Sequence, residues 1–252
     1  MDTRTPRNLA EVERSPSEAN RVVLEPLDRA EIERYLAPAA DTPFALEYAY
    51  YLLGDARGRV VVDLGCGSGE NVAVLAERGS QVVGMDISPD LIAIAQQRMR
   101  SANLSATVRL GDAYNTGLPD ESVDVIFCMA LIHHLDIKVV RGEMWRILHK
   151  GGMVVLKEPI RFSAFYARLR SMLPAHEDIS EYEHPLTREE LSLMTQPFRV
   201  DGTRYFRLPF VPLLSRLLSS LSRAAWKTSD WIIRHFPPAE AYATAVVTRL
   251  QK

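Results

Sequence analysis

The sequence predicts an α/β protein: a doubly wound, seven-stranded, mostly parallel sheet with a helical lid inserted after the fifth strand. Three observations predict it. Short apolar runs alternate with amphipathic stretches from about residue 59 to 158, the pattern of βαβ units that close a parallel sheet. The glycine-rich turn Gly65-Cys66-Gly67-Ser68-Gly69 follows the first of those runs directly. Finally, 252 residues can bury a substantial core without disulfides or metal, so one elaborated domain over 27–252 is the simplest organisation.

The elements follow in chain order. Residues 1–26 open with MDTRTPRNLAEVERSPSEAN, which is polar and lacks the apolar core of a signal peptide, so a mobile tail is expected. Phe44 to Leu53 carries aromatic and leucine residues at helical spacing, predicting a lead-in helix across the edge of the sheet or its pocket. Strands are expected at Arg59 to Leu64, Gln81 to Asp86, Ala106 to Leu110, Ser122 to Met129 and Met153 to Glu158. Ser88-Pro89 has the chemistry of a helix start, and Lys150-Gly151-Gly152 that of a helix stop after MWRIL.

Beyond Glu158 the apolar spacing becomes irregular, so 159–236 reads as the lid and substrate-binding elaboration, including the sixth strand. Within it, Thr187-x-x-Glu190 is a capping-box signature. Phe198 to Leu208 and Ala241 to Leu250 complete the sheet, the latter supplying the final strand over 241–250. Between them runs an amphipathic helix with Leu213, Leu214, Leu217, Leu218 and Leu221.

Composition narrows the function. Hydrophobic residues at 47% and charged residues at 25% are ordinary for a globular domain, and a net charge of −2 leaves no footprint for a nucleic-acid backbone. Cys66 and Cys128 sit inside apolar strand-like stretches rather than a disulfide framework, which fits a reduced, cytoplasmic setting. The region from Leu208 to Trp226 is interrupted by Pro209, Pro212, Arg216 and Arg223, so it does not span a membrane. Arg216, Arg223 and Lys227 could rest that helix on an anionic lipid surface, but any amphipathic surface helix has the same pattern, and membrane contact is not expected.

Val60-Val61-Val62-Asp63-Leu64-Gly65-Cys66-Gly67-Ser68-Gly69-Glu70 joins a buried strand to a helix through glycines that let backbone approach a ligand. A dinucleotide fingerprint would require glycine at position 70, where this chain has Glu70. Asp63 and Glu70 make the turn acidic, which suits a ligand bearing an ammonium and a sulfonium better than one bearing phosphates. S-adenosylmethionine carries both charges.

Through VDLGCGSGE, followed by an acid at the end of the next strand, the chain resembles the class I S-adenosylmethionine-dependent methyltransferases of small-molecule type. The resemblance is strong over 59–158 and only an outline elsewhere. It implies a Rossmann-like fold, S-adenosylmethionine as cofactor and S-adenosylhomocysteine as product. The backbone of Gly65, Cys66, Gly67 and Gly69 would cradle the methionine end, with Asp63 oriented toward its ammonium. Asp86 would hold the ribose hydroxyls, its alternative being a helix-capping acid, and Ile87 would lie against the adenine face. Asp112 would accept from the adenine amine while the Ala113 amide donates to the ring, the alternative being a plain turn. Met129 would line the pocket through its backbone.

In doubly wound sheets ligands sit beyond the carboxyl ends of the strands, so His133 and Glu158 are the candidate catalytic residues. His133 could serve as base, with Glu158 sharing that role or positioning the substrate. The alternative is that both are scaffold, and His134 reads as structural. Adjacent ligands rarely converge on one ion, so His133, His134 and Asp136 are not expected to hold a metal.

The function this implies is transfer of a methyl group to an oxygen, nitrogen or carbon of a small acceptor. The residues Phe162, Phe165, Tyr166, Met172, Tyr182, Phe206, Phe210, Trp226 and Trp231 of the lid region suggest an apolar or aromatic one, the alternative being an extra layer that covers the sheet without touching substrate. Three alternatives stay open: a non-catalytic S-adenosylmethionine-binding module acting through a partner, a nucleic-acid or protein methyltransferase, and a nicotinamide oxidoreductase. The last two are disfavoured by the lack of basic bias, by CMALIHHL in place of an Asn/Asp-Pro-Pro-Tyr/Phe motif, and by Glu70.

Overall fold

In the first strand, Val61 and Val62 point to opposite faces of the sheet, and both are fully buried. A strand apolar on both faces must be covered on both, and that requirement organises the whole molecule. A computed structural model describes residues 6–24, 28–163, 184–217 and 221–252. Its seven strands are β1 (Val60–Leu64), β2 (Gln81–Asp86), β3 (Thr107–Leu110), β4 (Val123–Met129), β5 (Leu148–Pro159), β6 (Arg199–Phe206) and β7 (Ala245–Gln251). They lie in the order β3-β2-β1-β4-β5-β7-β6. The first five run parallel, and β7 inserts antiparallel between β5 and β6.

One face is covered by α2 (Arg29–Leu36), α3 (Ala45–Leu53), α4 (Glu70–Glu77) and α5 (Pro89–Ser101), which bury Ile32, Tyr50, Leu53, Val72 and Ala95 with Val61, Val125 and Phe127 of the sheet. The other face is covered by α6 (Ile137–Ile147) and α7 (Arg188–Thr195), whose Val140, Met144, Ile147 and Met194 pack with Val62, Ile126, Val154 and Leu156. Each of the buried Val, Leu, Ile, Phe and Met side chains contributes about 1.5–3 kcal/mol through loss of apolar surface to water. Two further helices, α8 (Phe210–Leu217) and α9 (Ser222–His235), connect β6 to β7.

Several local signals act as expected. Ser88 Oγ accepts from Leu91 N–H at 3.0 Å and caps α5. Thr187 and Glu190 form the reciprocal capping box of α7, with hydrogen bonds of 3.2 and 2.9 Å.

Other expectations change. Helix α6 already stops at Ile147, and Lys150-Gly151-Gly152 lies within β5, where the register against β4 shifts. The extra residues are absorbed as a strand irregularity rather than as a helix cap. The final strand starts at Ala245 instead of 241, because Pro237–Tyr242 forms 3-10 turns. The described residues of the amphipathic stretch expected as a helix fall in α8 and α9. Phe165, Tyr166, Met172 and Tyr182, expected in the lid, and Leu218 lie outside the described residues, as do the side chains of Leu213, Arg216 and Leu217.

The largest difference is at the start of the chain. Within the stretch expected as a mobile tail, Pro6–Ala19 form helix α1, which packs along α5. Its buried residues are Asn8 and Ser15, both polar.

Candidate functional site

The carboxyl ends of β1, β2 and β4 frame a cleft of about 350 Å³, closed from above by α1. Its floor is the turn after β1. Gly65 N–H and Cys66 N–H both donate to Met85 O, at 2.8 and 2.9 Å, which fastens the turn to the end of β2. Two glycines are required here. Gly65 has φ +75° and a Cβ on it would lie 2.8 Å from Leu131 Cδ1, while Gly69 has φ +84° and a Cβ would lie 2.8 Å from Ala95 Cβ. Leaving Gly69, the chain enters α4 directly.

Asp86 closes the adjacent wall. Its carboxylate accepts from Gly67 N–H and Ser88 N–H, each at 2.9 Å. Burial pushes its pKa above the ordinary value, against the lowering effect of those backbone hydrogen bonds. Since Ser88 Oγ is the cap of α5, Asp86 is not needed in that role.

Asp63 is fully buried, set back from the cleft behind Leu64 and Gly65, and neither carboxylate oxygen has a hydrogen-bond partner among the described residues. Burial, reinforced by the charges of Asp86 and Glu70, raises its pKa to about 8. A buried carboxylate with no donor is costly unless a cation comes near it. The site therefore fits a ligand that brings an ammonium to the glycine turn.

Glu70 contributes less to that acidity than expected, because Arg98 Nη2 donates to it at 2.6 Å while Arg98 Nε donates to Ser68 O at 2.9 Å. Cys66, Ile87, Ala113 and Met129 all line the cleft, and burial pushes the Cys66 thiol up and out of reach of ionisation. Asp112 also lines it, but its carboxylate is engaged: Oδ1 accepts from Tyr114 N–H at 2.8 Å and Oδ2 from Asn8 Nδ2 at 2.7 Å.

His133 and Glu158 are brought together but not into the cleft lining. The His133 ring lies 2.8 Å from Glu158 Oε2, and Glu158 Oε1 accepts from Leu131 N–H and Ile132 N–H at 3.0 and 2.8 Å. Both side chains are buried, so the pair fastens the 3-10 turn Ile132–His134 to the end of β5. That turn presents His134, read from sequence as structural, to the cleft.

The α1 wall is absent from the sequence-based expectation. Its Asn8, Glu11, Arg14, Ser15 and Glu18 line the cleft. His134 Nδ1 lies 3.1 Å from Glu11 Oε1, and Ser15 Oγ contacts Ser88 Oγ and donates to Asp90 Oδ2 at 3.1 Å. Burial works against the Glu11 carboxylate, but His134 and Arg14 hold it below the usual carboxylate range. The available signal was polar: Asn8, Glu11 and Ser15 recur at helical spacing with no apolar stripe. Among the described residues no three His, Cys, Asp or Glu side chains are grouped to hold a metal ion, and no helix is long and apolar enough to cross a membrane.

Comparison with known proteins agrees with this geometry. A family described as a methyltransferase domain matches residues 62–156. The chain is 31% identical over 179 residues to demethylmenaquinone methyltransferase of Tropheryma whipplei, a match covering 63% of this chain and 73% of that protein. It is 36% identical over 133 residues to an uncharacterized 37.1 kDa protein in a Streptomyces fradiae transposon, covering 50% of this chain but only 38% of that protein's length. Among solved structures, geranyl diphosphate C-methyltransferase from Streptomyces coelicolor, in complex with S-adenosyl-L-homocysteine, superposes with a TM-score of 0.64 at 17% identity, covering 98% of each chain. The sheet order, the glycine turn and the likeness to the Tropheryma protein together place this chain in the class I S-adenosylmethionine-dependent methyltransferases.

Proposed function

We propose that the protein transfers the methyl group of S-adenosylmethionine to an oxygen, nitrogen or carbon of a small apolar or aromatic acceptor. The observation that carries this reading is the pairing of Asp63, a buried carboxylate without a donor, with Asp86, a carboxylate facing the cleft beside the glycine turn. Asp63 would answer the ammonium of the cofactor through the turn. Asp86 would accept from the ribose hydroxyls while keeping its two backbone donors. Gly65, Cys66, Gly67 and Gly69 would follow the methionine end, and Ile87, Ala113 and Met129 would enclose the adenine. Asp112 would take the adenine amine in place of Asn8.

When bound, S-adenosylmethionine supplies an already activated methyl group. What the protein must add is alignment and exclusion of water, and α1 over the cleft supports both. His133 and Glu158, proposed from sequence as a catalytic pair, are better suited by their burial to holding the turn that carries His134. Where the acceptor needs a base, His134 is the side chain at the cleft wall, steadied by Glu11.

Incubating the protein with labelled S-adenosylmethionine and a panel of phenols, amines and quinone-type metabolites tests the reading. Labelled product together with S-adenosylhomocysteine is expected. Binding of S-adenosylhomocysteine with no transfer to any acceptor would instead favour a cofactor-binding module that acts through a partner. Within an active pair, His134→Ala should lower kcat about a hundredfold with little change in cofactor affinity, whereas His133→Ala should lower stability.

A further inference from the structure

A second cleft of about 350 Å³ opens at the end of β5, on the face covered by α2 and α3. Its walls include Arg34, Tyr35, Phe44, Glu47, Lys157 and Trp226. Phe44 and Trp226 face each other with ring centroids 5.4 Å apart and planes tilted by 50°. Lys157 is half-buried, and burial lowers its pKa although Glu158 favours its charged form. Its ammonium has no hydrogen bond or salt bridge to any described residue. The other cation, Arg34, differs: Glu31 lies 3.7 Å away and the ring of Phe44 lies beneath it at 5.8 Å.

A lysine drawn into an aromatic-walled cleft without a partner is poorly solvated and lacks a counter-charge, so an anion entering there gains a charge-assisted hydrogen bond. Among the described residues of the cleft Glu47 is the buried carboxylate, and it is not within salt-bridge distance of Lys157, so it would be left as an acceptor for a ligand hydroxyl. The cleft is also next to the cofactor. Ala130 N–H, in the wall of the cofactor cleft, donates to Lys157 O at 2.7 Å. A smaller intervening cleft shares Glu70 and Asn71 with the cofactor cleft and Glu31, Tyr35 and Leu46 with this one.

We infer that this cleft is the acceptor subsite and that it selects a hydroxylated aromatic acid, with Lys157 receiving the acid group and Phe44 and Trp226 the ring. The inference rests on the methyltransferase reading and adds to it the charge of the acceptor. A cavity of this size holds one substituted ring with a short side chain.

The test uses the full chain saturated with S-adenosylhomocysteine and titrated calorimetrically with 3,4-dihydroxycinnamate and with its neutral amide. Wild type should bind the acid about tenfold more tightly than the amide. Lys157→Met should abolish that preference while leaving affinity for the amide and for S-adenosylhomocysteine unchanged, and Lys157→Arg should restore most of it. Equal binding of acid and amide by wild type, binding of neither, or a preference that survives in Lys157→Met overturns the inference. S-adenosylhomocysteine binding, measured in the same samples, reports separately on the methyltransferase reading, so the two failures are distinguishable.

Discussion

The floor and the roof of the cleft proposed for the cofactor are held by different forces. The turn from Gly65 to Gly69 is fixed by backbone: two N–H groups share Met85 O, a third donates to Asp86, and Gly69 leads straight into α4. Helix α1 is fixed by side chains, with Asn8 on Asp112, Glu11 on His134 and Ser15 on Ser88 and Asp90. The floor is continuous with the sheet and its apolar core, whereas the roof buries polar groups and depends on their mutual satisfaction. Damage to the floor should therefore cost fold and ligand together, and damage to the roof should cost ligand alone.

The largest effect is expected at Gly69. A valine side chain there would be forced into a left-handed backbone and against Ala95, so Gly69→Val should destabilise the protein by about 3 kcal/mol. Urea denaturation reads it, and cofactor binding should be lost with it. Asp86→Ala comes next. It removes a charged acceptor and leaves the Gly67 and Ser88 N–H groups without their partner, so affinity for S-adenosylhomocysteine should fall about thirtyfold, roughly 2 kcal/mol.

Removing residues 1–27 sharpens the contrast between roof and floor: cooperative unfolding should survive, with cofactor affinity down about tenfold. Equal loss of stability would show that α1 is part of the core after all. Single side chains of the roof should matter least. Asn8→Ala or Ser15→Ala is expected to change affinity only a few-fold, about 1 kcal/mol or less.

Asp63 adds a pH dependence that only the floor can produce. Its folded pKa of about 8 lies above the usual carboxylate value, so the folded protein retains a proton that the unfolded chain loses. The stability this contributes is complete below the unfolded value and disappears as pH rises through about 8. Without cofactor, the wild-type melting temperature should therefore fall between pH 6 and pH 9 more than that of Asp63→Asn. S-adenosylmethionine should flatten the difference by supplying an ammonium.

Much of the floor was legible in the sequence for a physical reason: strands buried on both faces read as unbroken apolar runs, and left-handed turns demand glycine. Asp86 and the Ser88 cap were legible because each ends or begins an element. The roof was not, since α1 docks through Asn8, Glu11 and Ser15, and hydrophobic periodicity carries no record of a polar contact face. Nor was it legible which of His133 and His134 lines the cleft, since they are adjacent residues in a 3-10 turn whose directions depend on how Glu158 fastens that turn. The Lys150-Gly151-Gly152 segment has the composition of a helix stop and a strand irregularity alike, and pairing with β4 decides between them.

The most direct test is calorimetric titration of S-adenosylmethionine, S-adenosylhomocysteine and NADH into wild type and Asp86→Ala. Tight binding of both sulfur compounds, weakened in Asp86→Ala and absent for NADH, is the expected result. Failure of both sulfur compounds to bind a folded wild-type protein would contradict the account.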